Sequence, residues 1–120
     1  MNTYTLRHER RPWTLNIERQ GNRWKRAELV KDWRYAFAIL ATNVPRLTHI
    51  NVTVLPELKN RSGEPDTGAC IGAAKAAIDG LVDAGVIPED GPKYVRRLTF
   101  LAPVVTGTDA LVLRIEGERA

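Results

Sequence analysis

The sequence predicts an α+β domain of two layers, a mixed β-sheet with helices packed on one face, in the order β-α-β-α-β-β. Two observations predict it. Apolar residues recur at helical spacing in two stretches, 26–41 and 67–84, and alternate with polar residues in the stretches around them. The two periods also interleave along the chain, which is the pattern of helices laid on a sheet. No internal repeat, low-complexity tract or linker divides the 120 residues, so a single domain spanning 1–120 is expected.

Residues 4–7 alternate weakly and form the first strand. Residues 12–23 are polar, with Gly21 and Asn22 as turn formers, and read as a loop or an irregular extended arm. In 26–41, Leu29, Val30, Trp33, Phe37, Leu40 and Ala41 make one apolar helical face, with Lys31 and Arg34 on the other side. Asn43 and Pro45 end that helix. Residues 47–55 form a half-buried strand, with Ile50, Val52 and Val54 facing one way and His49, Asn51 and Thr53 the other. After a loop at 60–65, a second helix runs from Thr67 or Gly68 to Ala84. Ile71, Ala74, Ile78, Leu81 and Val82 are its core stripe, and Gly85 is its stop. After a loop at 87–92, the C-terminal part reads as a hairpin. Leu98, Phe100 and Ala102 alternate in one strand, Leu111, Leu113 and Ile115 in the next, and Thr106-Gly107-Thr108-Asp109 supplies the turn.

The composition narrows the function. With 43% hydrophobic residues the chain has a core, but a thin one at this length, which leaves room for stabilisation by a partner subunit. No apolar run is long enough to span a membrane. The N-terminal MNTYTLRHERRPW has no apolar run behind its charges and does not read as a signal peptide. Cys70 is alone, so no internal disulfide is available. The expectation is a soluble intracellular protein. The net charge is +4 and unevenly placed: residues 1–35 hold nine Lys/Arg against four Asp/Glu, and 57–90 hold seven Asp/Glu against three Lys/Arg. A basic surface beside a carboxylate cluster suits a protein that binds a polyanion and holds a cation against it; the same counts also describe uneven solvated charge.

Lys75, Asp79 and Asp83 are spaced four apart and share one face of the second helix. Asp66 precedes that helix, and Glu89 and Asp90 follow it. A helix of about 17 residues spans roughly 25 Å, so a site requires the Glu89-Asp90 loop to fold back beside the helix. Carboxylates are what Mg²⁺ takes as ligands, with waters and substrate phosphates, and a neighbouring lysine stabilises charge building on a phosphate. An ordinary solvated helix face with an acidic loop has the same spacing. Trp13, Arg19, Arg23, Trp24, Lys25 and Arg26 interleave aromatic and basic residues, which suits phosphate contacts and base stacking; Trp13 and Trp24 equally suit core or interface anchors. Other chemistries fare worse. Ser62, the only serine, lies in no G-x-S-x-G elbow. His8 and His49 lack zinc spacing and read as a surface and an outward strand residue. Cys70 reads as a packed small residue.

The run from Lys75 to Asp90, KAAIDGLVDAGVIPED, resembles the RusA family of Holliday-junction resolvases: a lysine, an aspartate four residues on, an Ala-Gly helix end, then a paired acidic loop. The match extends past Val95 into the expected terminal hairpin and more weakly over the first strand and helix. The resemblance implies an α+β homodimer that binds four-way junctions and other branched DNA and resolves them by paired, symmetric nicks in recombination, repair or phage DNA processing. It implies Mg²⁺ as cofactor, with Mn²⁺ as a substitute, and the cytoplasm of a bacterial or phage-infected host. By position it makes Asp90 and Lys75 catalytic and Asp79 the helix acid. With Asp66 as the surviving upstream acid, the catalytic candidates are Asp66, Lys75 and Asp90 and the metal ligands Asp66, Asp79, Glu89 and Asp90. The basic N-terminal residues Arg19, Arg23, Lys25 and Arg26 are the ones expected to grip DNA. The upstream end departs from the family's Asp-x-Asp-Asn. Here the segment is Glu64-Pro65-Asp66-Thr67-Gly68-Ala69, and Asp66 lies nine residues before Lys75. Either Asp66 alone survives, with Glu89 or Asp79 compensating, or Glu64 and Asp66 replace the pair. The alternative function is a non-catalytic branched-DNA-binding protein of the same fold; a third is a structural or regulatory protein with no DNA role.

Overall fold

The longest alternating stretch becomes an interior strand of the sheet. The computed structural model describes residues 1–15 and 23–120. Its elements are β1 (Asn2–His8), α1 (Arg23–Leu40) with a 3₁₀ turn at Ala41–Asn43, β2 (Leu47–Leu58), α2 (Ile71–Asp83), β3 (Val95–Phe100), β4 (Val104–Val105) and β5 (Ala110–Arg119). The sheet order is β1-β5-β2-β3, with β4 also on β2. β5 is antiparallel to both β1 and β2, whereas β3 and β4 run parallel to β2, so the sheet is mixed. α1 and α2 pack together on one face, giving the expected two-layer α+β domain. Among the described residues no helix is long and apolar enough to cross a membrane.

The C-terminal hairpin does not form. β3/β4 and β5 lie on opposite sides of β2, so residues 106–109 are no tight turn between neighbours. They cross the end of β2, roughly 10 Å or two strand spacings. Thr106 and Gly107 donate backbone N–H groups to the Leu58 carbonyl, and Lys59 N–H donates to Asp109 at 2.8 Å. Burial explains the insertion. Ile50, Val52 and Val54 of β2 are fully buried, as are Leu111, Leu113 and Ile115 of β5, and side-by-side interior positions cover both sets. β2 also runs on past Leu55, through Pro56 to Leu58. Proline has no N–H for the ladder, and the adjoining edge strand is interrupted at 101–103, between the pairs Val54–Phe100 and Glu57–Val104. Arg7 of β1 reaches over β5 to Glu57 of β2 at 2.9 Å and ties the outer strand to the inner one.

α2 starts later than its apolar pattern suggests. Gly68 takes φ of +82°, which no right-handed helix admits, and residues 67–70 form turns before Ile71. Ile71 is exposed, and Ala73, Ala74, Ala76, Ala77, Ile78 and Leu81 are buried instead. The helix is enclosed from two sides, by α1 and by the sheet, so a run of small residues replaces a single stripe. Gly85, at φ of +81°, ends the terminal turn as expected.

Trp33 and Phe37 of α1 are fully buried against the sheet, with Trp13 edge-to-face on Trp33 at 5.7 Å. The surface reading of His8 is corrected: its ring lies edge-on to Trp33 at 4.9 Å, and burial, then the charge of Arg10, lowers its pKa. The helices approach each other closely at Gly80. A Cβ there would lie 2.5 Å from the Arg34 carbonyl oxygen and 2.9 Å from the Ala38 nitrogen, both backbone atoms. Gly80→Ala must push the helices apart. Overpacking of this kind costs about 1–3 kcal/mol, so the urea midpoint is expected to fall by that equivalent; an unchanged midpoint would contradict the close crossing.

Candidate functional site

α2 presents a ridge at four-residue spacing, Ile71, Lys75, Asp79 and Asp83, along the margin where it leaves the core. At the lower end Arg34 of α1 holds Asp83 in a two-pronged ion pair, Nε to Oδ2 at 2.6 Å and the second donor to Oδ1 at 2.8 Å. Arg34 thereby holds the Asp83 carboxyl below the usual range and occupies it. One turn up, Asp79 remains. The loop after α2 does fold back: Asp90 comes within hydrogen-bonding reach of Asp79. Burial first, then the negative charge of Asp90, pushes the Asp79 carboxyl up, and Arg34 pulls against them.

Lys75 stands between two shallow hollows. One, of about 340 Å³, lies toward α1 and is lined by Lys75, Asp79, Arg26, Val30 and Gly72. The other, of about 170 Å³, lies toward β3 and is lined by Lys75, Asp90, Ile78, Val95 and Leu98. Lys75, Asp79 and Asp90 are therefore one constellation, with Arg26 at its border. The basic start of α1 is exposed at Arg23, Lys25 and Arg26, and Trp24 beside them is 79% exposed and anchors no core. Trp13, by contrast, is buried and has no face for a base. Arg19 lies outside the described residues.

The other two acids sit apart. Asp66 is exposed and lines a cavity of about 560 Å³ with Thr14, Leu15, Glu64, Thr67 and Gly68, on the approach to α2, without Lys75, Asp79 or Asp90. Glu89 turns back on its own loop, its Oε1 3.1 Å from where a Cβ of Gly91 would be. Among the described residues no group of three or more His, Cys, Asp or Glu side chains is arranged to hold a metal ion. Two converging carboxylates are within what Mg²⁺ takes, commonly one or two with waters and phosphate oxygens. Cys70 is buried and its thiol is pushed up to about 11, so it is inert.

Spacing alone exposed Lys75 and Asp79. Arg34, Val95 and Leu98 enter only through the helix crossing and the β2–β3 pairing, which leave no local signature. Compared with models of known protein families and with curated proteins, the chain matches none.

Asp90→Asn removes the like charge facing Asp79, so the Asp79 pKa is expected to fall in an NMR carboxyl titration; an unmoved titration would contradict the pairing. The sign for stability follows from linkage. A carboxyl raised in the folded chain favours folding below its unfolded pKa, and that contribution is lost as pH rises through its folded pKa. Asp79→Asn is therefore expected to gain stability relative to the parent chain as pH climbs through that window. Asp83, lowered by Arg34, works the other way: its stabilisation is present above the unfolded pKa and is lost as pH falls through the folded one.

Proposed function

We propose that the chain is a magnesium-dependent endonuclease of RusA type that cuts four-way junctions and other branched DNA as a homodimer. The observation that carries this reading is the meeting of Asp79 and Asp90 beside Lys75, with the basic start of α1 at the border. Asp79 and Asp90 would hold Mg²⁺, or Mn²⁺ in its place; bound there, the metal would supply a Lewis acid that lowers the pKa of water and offsets phosphate charge. Lys75 directs its ammonium to a non-bridging phosphate oxygen as charge builds in the transition state. Arg23, Lys25 and Arg26 hold the arms through their phosphates. Asp66 and Glu89 take part only if DNA or a second subunit draws them in. A dimer suits a junction whose two scissile strands are related by symmetry. The setting that goes with this activity is the cytoplasm of a bacterium or of a phage-infected bacterium.

One observation favours a second reading, a binding protein of the same fold without cleavage: two carboxylates converge where the family pattern has more. A labelled four-way junction and a linear duplex, each with Mg²⁺ and with EDTA, separate the two. Paired nicks near the crossover that need Mg²⁺ are expected. Asp90→Asn should cut at least about 10²-fold more slowly while binding the junction as before. Tight binding without nicks would replace the nuclease by the binding protein, and no preference for the junction over duplex would remove both. Mg²⁺ alone should lower the Asp79 pKa in the NMR titration, a readout independent of cutting.

A further inference from the structure

Two arginines on the β3 edge lie next in sequence to residues that wall the Lys75–Asp90 hollow, at a break in the β2–β3 ladder. Ile50 pairs with Val95 and Asn51 with Arg97, so Arg96 is an extra residue without a partner across the ladder. This is a β-bulge, a device found at sheet edges and beside sites. In a regular strand, positions 95 and 98 would face opposite sides of the sheet. The bulge lets both Val95 and Leu98 wall the hollow that holds Lys75 and Asp90. It also leaves two successive arginines, Arg96 and Arg97, exposed on an edge strand.

Neither guanidinium has a hydrogen-bond or ion-pair partner among the described residues. Lys93, just before them, lies over the Tyr94 ring at 5.5 Å and adds a third cation. Residues 91–108 contain no Asp or Glu. In the same row of the sheet as Arg97 the nearest acid is Glu116, across Asn51 and two strands away, about 10 Å. Planar guanidinium groups are the side chains best matched to phosphate oxygens.

We infer that Arg96, at the bulge, and Arg97, on the face of Asn51, grip the phosphodiester backbone of the bound DNA where it passes around the β3 edge beyond Lys75. The inference rests on the nuclease reading and extends it. Nucleic acid is held from two sides, by the start of α1 and by the β3 edge, with the carboxylate pair between them. Charged edges also discourage strand-to-strand association, and the experiment separates the two uses.

The full chain in EDTA is titrated against a labelled four-way junction over a range of salt concentrations. Arg96→Gln and Arg97→Gln are each expected to weaken binding about three- to tenfold and to flatten the log–log salt slope by about one. Lys59→Gln, at the far end of β2, should leave both unchanged, and lysine at 96 and 97 should restore the slope. If the parent chain binds the junction and the glutamine variants match it, the grip is overturned and the nuclease reading stands. If affinity falls because the variants self-associate, as sedimentation would reveal, the arginines are edge guards and the grip is again overturned. If the parent chain binds no DNA, the grip and the nuclease reading fall together.

Discussion

The contact of α1 with α2 at Gly80 is the constraint on which the remaining arrangement depends. Backbone atoms of Arg34 and Ala38 occupy the space a side chain would need there, so the helices cross at a distance only glycine permits. At that separation the Arg34 guanidinium reaches Asp83 and its charge is felt by Asp79. A wider crossing would leave Asp83 unpaired and open the seam to water. The alanines of α2 belong to the same solution, because a helix pressed between another helix and a sheet has little room for larger side chains.

Much of the architecture was legible because each element carries its own periodicity. Ile50, Val52 and Val54 declared a strand, and Trp33 and Phe37 a helix face, before any tertiary contact was known. What was not legible depended on pairing. The alternation at 98–102 and 111–115 looks the same whether the two strands adjoin each other or both adjoin β2, and only total burial decides. The delayed start of α2 rests on the backbone angle of Gly68, which apolar spacing does not encode. Lys75 and Asp79 could be read from helical spacing and Asp90 from the loop's acids, yet their meeting depends on where that loop packs. Asp66 looked equivalent to them in sequence and lies at another cavity.

The charges around this seam follow a consistent order. Asp83 is neutralised by Arg34 and so serves the packing. Asp79 and Asp90 face each other, and they are the carboxylates that the proposed function assigns to a cation. Lys75 makes no ion pair with either, which leaves its ammonium for another anion. In the nuclease reading proposed above, the surrounding cations would attract the polyanion and the two carboxylates would hold a counter-ion against it.

The place of β5 has a consequence for how the chain acquires its structure. β1 and β2 precede β5 by many residues and do not pair with each other; β5 lies between them, as the sole strand partner of β1 among the described residues and the antiparallel partner of β2. Until residues 110–119 emerge from the ribosome, β1 has no strand partner among the described residues and β2 has only the edge strands β3 and β4, with its other edge unsatisfied. Such late closure of distant segments slows folding and lengthens the interval in which neighbouring chains can pair wrongly. A lesion in β5 would therefore leave β1 without a strand to pair with and uncover one edge of β2.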